Sequence, residues 1–284
     1  MTAFDAPRQL ARTAIQESVS EKRWLQNQQF ITRLKQRLQQ HPVARHPAIQ
    51  ALNQGRFNPE QLKRIHLEYR YAIVQIFTDA LLVAQYQSRQ LESRLAPGSK
   101  MQARFLLTLN TLDEFGFLPG ADAAGYYRGN PCCAHYPLFE QLLNDLGITL
   151  EERSAYVPSA IAQKVRTYLE ESFDDFSQVT SLLAVAEEEV VLFSAPLRQN
   201  TKAIGVSVDT GYYRCHGTSD DTEADANDDA HEDDLWYVLM QALVPEKYEL
   251  ISDLCEQYCD LWVEFWDSQM DLLAQPAIPA LMVR

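Results

Sequence analysis

Apolar residues recur at helical spacing along most of the chain. In the stretch from residue 8 to residue 40, apolar side chains spaced in this way would form one buried stripe on a helix. They are Trp24, Phe30, Ile31, Leu34 and Leu38. The last region, residues 245 to 275, repeats the pattern with Ile251, Leu254, Tyr258, Trp262, Phe265 and Trp266. Because no segment shows a convincing strand-type alternation, the pattern predicts an all-α protein.

Helix boundaries are marked by capping residues and by Pro and Gly. The sequence Asn58-Pro59-Glu60-Gln61 offers an Asn N-cap, a Pro at the first helical position and a Gln that completes a capping box. The helix that it opens is predicted to continue until shortly before Pro97-Gly98. Another long helical region is predicted from Pro158 to about Asn200, with a kink near residues 174–177.

Length and composition favour one large folded unit. A chain of 284 residues with 46% hydrophobic content is ample for a substantial core. We expect residues 1–56 to form an N-terminal helical extension and residues 57–284 to form the main helical domain, within a single globular unit. The net charge of −14 opposes a nucleic-acid partner, because phosphate binding needs clustered Lys and Arg.

The sequence also bears on the compartment. Five cysteines, an odd number in a chain of this length, do not suggest a disulfide framework. The first residues lack the apolar core of a signal peptide, and the apolar runs are too short to cross a membrane. We therefore expect a cytoplasmic protein without a membrane partner. The aromatic stripe of the last helix is typical of core packing or of contact within a homodimer.

Three consecutive glutamates interrupt a stretch that is otherwise hydrophobic nearly all round. Residues 181–193 read SLLAVAEEEVVLF, which is typical of a buried helix. Three adjacent residues sweep about 200° of a helix with about 3.6 residues per turn, so at least one of Glu187, Glu188 and Glu189 is predicted to point inward. A buried carboxylate needs a metal or another cation as its partner. We favour Glu188 over Glu187 as a metal ligand. An exposed acidic patch, or pairing with Arg, is the alternative.

Further side chains of the metal-binding type are scattered along the chain. They are Glu114, His135, His216 and the pair Asp228-x-x-His231. The members of the pair share one helix face, and Asp220 lies one helical turn after His216. Taken alone, each is more often a surface acid, a cap or a histidine with its hydrogen bonds satisfied. Together they are carboxylates and imidazoles without a cysteine, which is the ligand set that an oxygen-handling iron site uses.

Several stretches of the sequence resemble the iron-containing members of the haem-oxygenase-like superfamily, the di-iron oxidases and oxygenases. They are FNPEQL from Phe57, YRY from Tyr69, LNTLDEFG from Leu109, HYPLFEQLLNDLG from His135 and YYRCH from Tyr212. The resemblance covers about residues 57 to 245. It implies a haem-oxygenase-like bundle of about seven helices, in which a Glu, a His, a second Glu and a terminal His-x-x-x-Asp-x-x-His array bind two irons.

Carried onto this chain, the resemblance implies six metal ligands. They are Glu114, His135, Glu188, His216, Asp228 and His231, with Glu187 as the alternative to Glu188. The terminal array departs from the family pattern, because His216-x-x-x-Asp220 fits its first half but Glu223 stands where the last His is expected. Asp228-x-x-His231 fits the second half further along the chain. We favour Asp228 and His231 and keep Asp220 and Glu223 as the alternative set.

The resemblance further implies an O₂-dependent, non-haem di-iron oxidase or oxygenase, with Fe²⁺ as cofactor and O₂ as co-substrate. Its partners would be a small organic substrate, such as an amino acid, an amine or a fatty acid, and an electron donor of unknown identity. The reactions of the family include N-hydroxylation, desaturation and C–C cleavage. Two alternatives remain open: a metal-free helical binding or scaffold protein of the same fold, and a cofactor-free oxidase resembling pyrroloquinoline-quinone synthase, for which Arg70 is the candidate basic residue.

The acidic segment that contains the last two candidate ligands is predicted to be poorly ordered. Residues Thr218 to Asp234 hold nine acidic side chains and no Lys or Arg. Such a stretch repels itself and has little apolar surface to bury. We therefore expect a mobile loop between His216 and His231 that becomes ordered when iron binds.

Overall fold

The computed structural model describes residues 5–117, 129–217, 221–222 and 228–274. Within these ranges the chain is helical, and β-type pairing is confined to an isolated bridge between Phe117 and Gly129. The predicted all-α class is confirmed. In the part of the chain that is described, no helix is both long and apolar enough to span a membrane.

The described ranges contain thirteen α-helical segments. They are α1 (Asp5–Glu17), α2 (Glu21–Gln40), α3 (Pro47–Asn53), α4 (Pro59–Tyr69), α5 (Gln75–Gln87), α6 (Lys100–Glu114), α7 (His135–Asp145), α8 (Leu150–Ala155), α9 (Ala160–Glu170), α10 (Phe176–Ala203), α11 (Tyr212–Cys215), α12 (Asp228–Ala242) and α13 (Tyr248–Ala274). This exceeds the predicted number of about seven, because short helices join the main ones. In addition, Ser20 caps α2, which divides a stretch predicted as continuous, and Asp175 caps α10, so that the chain breaks where a kink was predicted.

The predicted start of α4 is confirmed in detail. The Asn58 side chain accepts a hydrogen bond from the Gln61 backbone at 3.0 Å, and the Gln61 side chain accepts one from the Asn58 backbone at 3.0 Å. Beyond α4 the chain does not continue as a regular α-helix. Residues Arg70–Val74 form a π-helical segment that leads directly into α5. Such segments are rare and often occur at functional sites.

Helix α10 lies at the centre of the molecule. It packs against α3, α5, α12 and α13, and most of its residues are buried. This agrees with the hydrophobic character of residues 181–193 on all sides. The aromatic stripe of α13 belongs to the same core: Trp266 stacks on Phe193 with ring centroids 4.1 Å apart. Core packing therefore accounts for these rings, and a homodimer stays a prediction.

The N-terminal helices pack on the rest of the core. α1 contacts α6 and α12, and α2 contacts α12 and α13. The contact between α1 and α12 is ionic: Arg8 Nε lies 2.9 Å and Arg12 Nη2 lies 2.6 Å from the two carboxylate oxygens of Asp234, a residue only 3% exposed. A carboxylate that is held by two guanidinium groups fixes α12 against α1.

A buried histidine of α4 is held in its neutral form. His66 Nδ1 lies 2.7 Å from the Leu62 carbonyl oxygen, to which it must donate, and Nε2 lies 2.5 Å from the Tyr213 hydroxyl. Nε2 is then the acceptor, which requires an uncharged ring. Burial lowers the pKa of His66 to about 4.

We predict that this histidine makes stability fall in acid. Because the pKa of His66 is lower in the folded state (about 4) than in the unfolded state (about 6.5), the unfolded chain takes up the proton first. The free energy of unfolding should therefore fall by about 3 kcal/mol on this account between pH 6.5 and pH 4. Urea unfolding of wild type and His66→Gln across this range is the measurement. Equal pH dependence in the two proteins would contradict the assignment.

Candidate metal centre

Six acidic and imidazole side chains from separate helices meet beside α10. They are Glu114 at the end of α6, His135 at the start of α7, Glu187 in α10, His216 directly after α11, and Asp228 and His231 in the first turn of α12. Each is at most 6% exposed. Five of the six residues favoured from the sequence are thus brought together. The alternatives Asp220 and Glu223 lie outside the described residues, as does most of the acidic loop expected to be mobile.

A glycine turn brings the C-terminal end of α6 close to the N-terminal end of α7. Gly116 follows Glu114 and has a φ of 78°. A Cβ atom at this position would lie 2.5 Å from the Asn130 carbonyl oxygen and 2.6 Å from the Ala134 backbone nitrogen. Only glycine therefore fits both the conformation and the space. This close contact is what places His135 beside Glu114.

The three consecutive glutamates have three different environments. Glu187 faces the cluster, where its Oε1 accepts a hydrogen bond from Asn110 Nδ2 at 2.9 Å. Glu189 is buried on another side of α10 and accepts hydrogen bonds from Tyr69 Oη at 2.7 Å and from Trp266 Nε1 at 2.9 Å.

Glu188 is half-buried and lies outside the cluster. The charges that act on its carboxylate are those of Glu232 and Lys35. The structure therefore replaces Glu188 with Glu187 in the site. The reason is that α10 is buried nearly all round, so that its apolar pattern does not distinguish the side facing the cluster from the others.

The cluster has the spacing of a metal site. One ligand atom each of Glu187, Asp228 and His231 lies within 4.8 Å of the others. Asp228 Oδ2 lies 3.2 Å from His216 Nδ1 and accepts a hydrogen bond from the Gly217 backbone at 2.9 Å. These two contacts orient the Asp228 carboxylate and the His216 ring.

A second acid–imidazole pair adjoins these residues. Glu114 Oε1 lies 2.9 Å from His135 Nδ1, and the ring of His135 lies 4.6 Å from that of His216 between centroids. Asp113, which was not among the sequence candidates, has its Oδ2 3.7 Å from His231 Nε2. Its signal in the sequence was its position next to Glu114. Asn110, one helical turn before Glu114, was missed as well.

Burial shifts the pKa values of the acids in opposite directions. Burial, together with repulsion from Asp228 and Glu114, raises the pKa of Glu187 well above its ordinary value. Burial also opposes ionisation of Asp228, but attraction to His216 and His231 is stronger and holds the pKa of Asp228 below its usual range. Burial lowers the pKa of His231. Glu187 is therefore the acid of the cluster that is protonated most readily while no cation is bound.

The Glu114–His135 pair is charged in the absence of a cation. Burial alone would lower the pKa of His135, but attraction to Glu114 outweighs it and raises the pKa well above the ordinary value. Burial alone would raise the pKa of Glu114, and His135 reverses that effect, so that the pKa of Glu114 is lowered. A metal that binds His135 must displace this proton, which makes metal binding dependent on pH.

One atom of the cluster is buried with no hydrogen-bond partner among the described residues. It is Nε2 of His216, whose Nδ1 faces Asp228. Buried polar atoms are almost always paired, and an imidazole whose Nδ1–H donates to a carboxylate presents its Nε2 lone pair to a metal. The combination of carboxylate and imidazole donors without a thiolate fits iron or a similar divalent metal.

A small cavity adjoins the cluster. Its polar wall is made by Glu114, His135, Glu187 and His216. The rest of its wall is mainly apolar and aromatic: Tyr69, Ile73, Val74, Phe77, Tyr136, Val190 and Tyr212. The cavity has room for about one or two water molecules, so its lining side chains must move apart to admit a small organic molecule next to the cluster.

Comparison with solved structures identifies the fold. A TenA homolog from Pseudomonas syringae pv. tomato str. DC3000 is similar with a TM-score of 0.60 and 14% identity, over 86% of this chain and 92% of that one. A CADD-like protein of unknown function from Nostoc punctiforme PCC 73102 gives a TM-score of 0.60 and 13% identity, over 88% of this chain and 100% of that one. The chain has the haem-oxygenase-like helical fold. At such identities the likeness shows the fold alone, and neither a protein-family model nor a curated protein sequence matches the chain.

For the metal-free protein we predict opposite effects of neutralising two of the acids. Because the pKa of Glu187 is raised on folding, its contribution to stability is lost as pH rises above about 4.5, and Glu187→Gln should gain stability relative to wild type as pH rises. The pKa of Glu114 is lowered, so its stabilising contribution is complete above about pH 4.5, and Glu114→Gln should lose stability relative to wild type as pH rises towards that value. Chemical unfolding in a chelator measures both, between pH 5 and pH 8 for Glu187→Gln and between pH 3 and pH 5 for Glu114→Gln. The same sign for both variants would contradict the charge assignment.

Proposed function

We propose that this protein is an O₂-dependent, non-haem di-iron oxidase or oxygenase that acts on a small organic molecule. The observation that carries the proposal is the convergence of Glu187, Asp228 and His231 beside a buried His216 nitrogen that has no hydrogen-bond partner within the described ranges. Buried acids at such spacing repel one another and need a cation. Fe²⁺ is the cation we propose, because its sites in oxygen-handling proteins combine carboxylate and imidazole ligands.

The ligands divide into two groups around Glu187. Asp228, His216 and His231 would hold one iron, and the Glu114–His135 pair would hold the other. Glu187, which interacts electrostatically with both Asp228 and Glu114, would be a ligand of both irons. Bound iron would supply the electrons that activate O₂. Asn110 fixes the Glu187 carboxylate by donating to Oε1 at 2.9 Å.

The cavity would hold the substrate beside the metal. Its apolar wall excludes water, which protects reactive species from side reactions. The substrate would be an amino acid, an amine or a fatty acid, and an external electron donor would complete the reaction. The acidity of the chain, with a net charge of −14, speaks against a nucleic-acid substrate.

The two alternatives receive less support. A metal-free binding protein of this fold would have to keep Glu187 protonated or bury its charge beside Asp228 and Glu114, which is costly. A cofactor-free oxidase needs basic residues in the cavity wall. Arg70 pairs with Glu140 and contacts Tyr136, and it is not among the residues that line the cavity.

We predict that anaerobic addition of Fe²⁺ loads about two irons per chain, since the site has ligands for a pair of metal ions. Iron content after desalting is the first measurement, and a change in absorbance on exposure to O₂ is the second. Iron no higher than in a denatured control would refute the proposal.

We also predict that Glu187 is needed for iron and that Glu188 is not. Glu187→Gln should lose most of the bound iron, because a carboxamide is a poor ligand. The matched change Glu188→Gln, on the neighbouring residue outside the cluster, should retain it. Asn110→Ala should weaken iron affinity by about tenfold through loss of the hydrogen bond that orients Glu187. If Glu188→Gln lost the iron while Glu187→Gln kept it, the assignment would be wrong.

A further inference from the structure

We propose that a carboxylate group of the substrate binds just outside the cavity, where Tyr136, which lines the cavity, meets Arg70 and Gln75. The apolar part of the substrate would then lie against Ile73, Val74, Phe77 and Val190, between this place and the metal centre. The inference rests on the proposed function for the reaction that follows binding. It narrows the substrate class to small apolar carboxylates.

Tyr136 connects the cavity to the solvent side. It lines the cavity and is half-buried. Its hydroxyl oxygen accepts hydrogen bonds from Arg70 Nη2 at 3.2 Å and from Gln75 Nε2 at 3.2 Å. The orientation of the Gln75 amide is fixed, because its oxygen accepts from Arg166 Nη1 at 3.3 Å.

Donors predominate where these side chains meet. A phenol oxygen that accepts two hydrogen bonds has used its acceptor capacity and still has one proton to donate. Among the described residues, no hydrogen bond from the Tyr136 hydroxyl to an acceptor is observed. The Tyr136 O–H and the N–H groups of Arg70 and Gln75 thus converge on one place. A group with several acceptor lone pairs, such as a carboxylate, complements this arrangement.

Arg70 shares its ionic partner with a second arginine. Arg70 pairs with Glu140, and Arg153 Nη1 pairs with the other oxygen of Glu140 at 2.8 Å. A single carboxylate is thus divided between two guanidinium groups, which leaves the charge of Arg70 incompletely neutralised. The side chain of Arg70 is only 19% exposed, so solvent screens it incompletely. A carboxylate that binds here would gain an ionic contact that an alcohol does not.

The π-helical segment accounts for the meeting of Arg70 and Gln75. The Gln75 backbone N–H donates to the Arg70 carbonyl, five residues back, as a π-helix requires. In a regular α-helix, residues at this separation would point about 140° apart. The wider turn brings both side chains to the Tyr136 hydroxyl, while Ile73 and Val74 within the segment line the cavity. The irregular backbone thus builds the polar site and the apolar wall together.

Hexanoate and hexan-1-ol are suitable probes, because they share an apolar chain and differ in charge. Calorimetric titration of the metal-free protein should show hexanoate binding at least about tenfold more tightly than the alcohol. Arg70→Gln and Tyr136→Phe should each weaken hexanoate binding by about tenfold and change binding of the alcohol less than about twofold. Arg70→Gln leaves Glu140 paired with Arg153, and Tyr136→Phe removes a single oxygen, so both variants should fold.

Arg64→Gln is the control, since it removes the same charge from an exposed position of α4. It should leave hexanoate binding unchanged. Equal weakening in Arg64→Gln and Arg70→Gln, or no preference for hexanoate over the alcohol, would overturn the inference. Hexanoate binding that requires iron and survives Arg70→Gln would also overturn it, because the carboxylate would then bind the metal. If the predicted pattern is found in a protein that takes up no iron, the proposed function fails and the carboxylate site stands.

Discussion

The structure is organised around a set of charges that the fold forces together away from water. Glu187 is the central member, because it lies near both Asp228 and Glu114 and its pKa is raised by burial and by both of them. Carboxylates at such distances cannot all ionise in a dry interior unless a positive charge lies beside them. The surrounding helices hold them there, so a bound cation would relieve their repulsion. The neutral core on the far side of α10 needs no such partner.

The glutamates of α10 show how the setting of a buried acid reveals its role. Glu189 accepts hydrogen bonds from the neutral donors Tyr69 and Trp266, which offset part of the burial that raises its pKa to about 7. Glu187 has the single amide of Asn110 and faces other acids. The hydrogen bonds of Glu189 hold α10 against its neighbours in the core. The repulsion between Glu187 and the acids Asp228 and Glu114 is not offset by the single hydrogen bond from Asn110. Glu188 remains partly in solvent and has neither role.

The sequence was sufficient for the fold class and for five members of the cluster, because helical periodicity and ligand chemistry are local properties. It did not distinguish Glu187 from Glu188, since a helix buried nearly all round has no polar face to set its orientation. Breaks such as the one capped by Asp175 depend on side-chain hydrogen bonds that compete with helix continuation. The π-helical turn after Tyr69 has no sequence signature of its own. The proximity of the Arg70 and Gln75 side chains therefore could not be predicted from the sequence.

The bonds from Arg8 and Arg12 to Asp234 have a consequence for the order of assembly during synthesis. Asp234 lies on the same helix as His231, so α1 has its ionic partner in a helix that is made much later. Until α12 emerges, α1 lacks its ionic contact and the acids of α6 and α10 lack the imidazole of His231. Contacts so distant along the chain form late in folding. The acid–imidazole cluster is thus completed only after α12 has been made and has packed against α1 and α10.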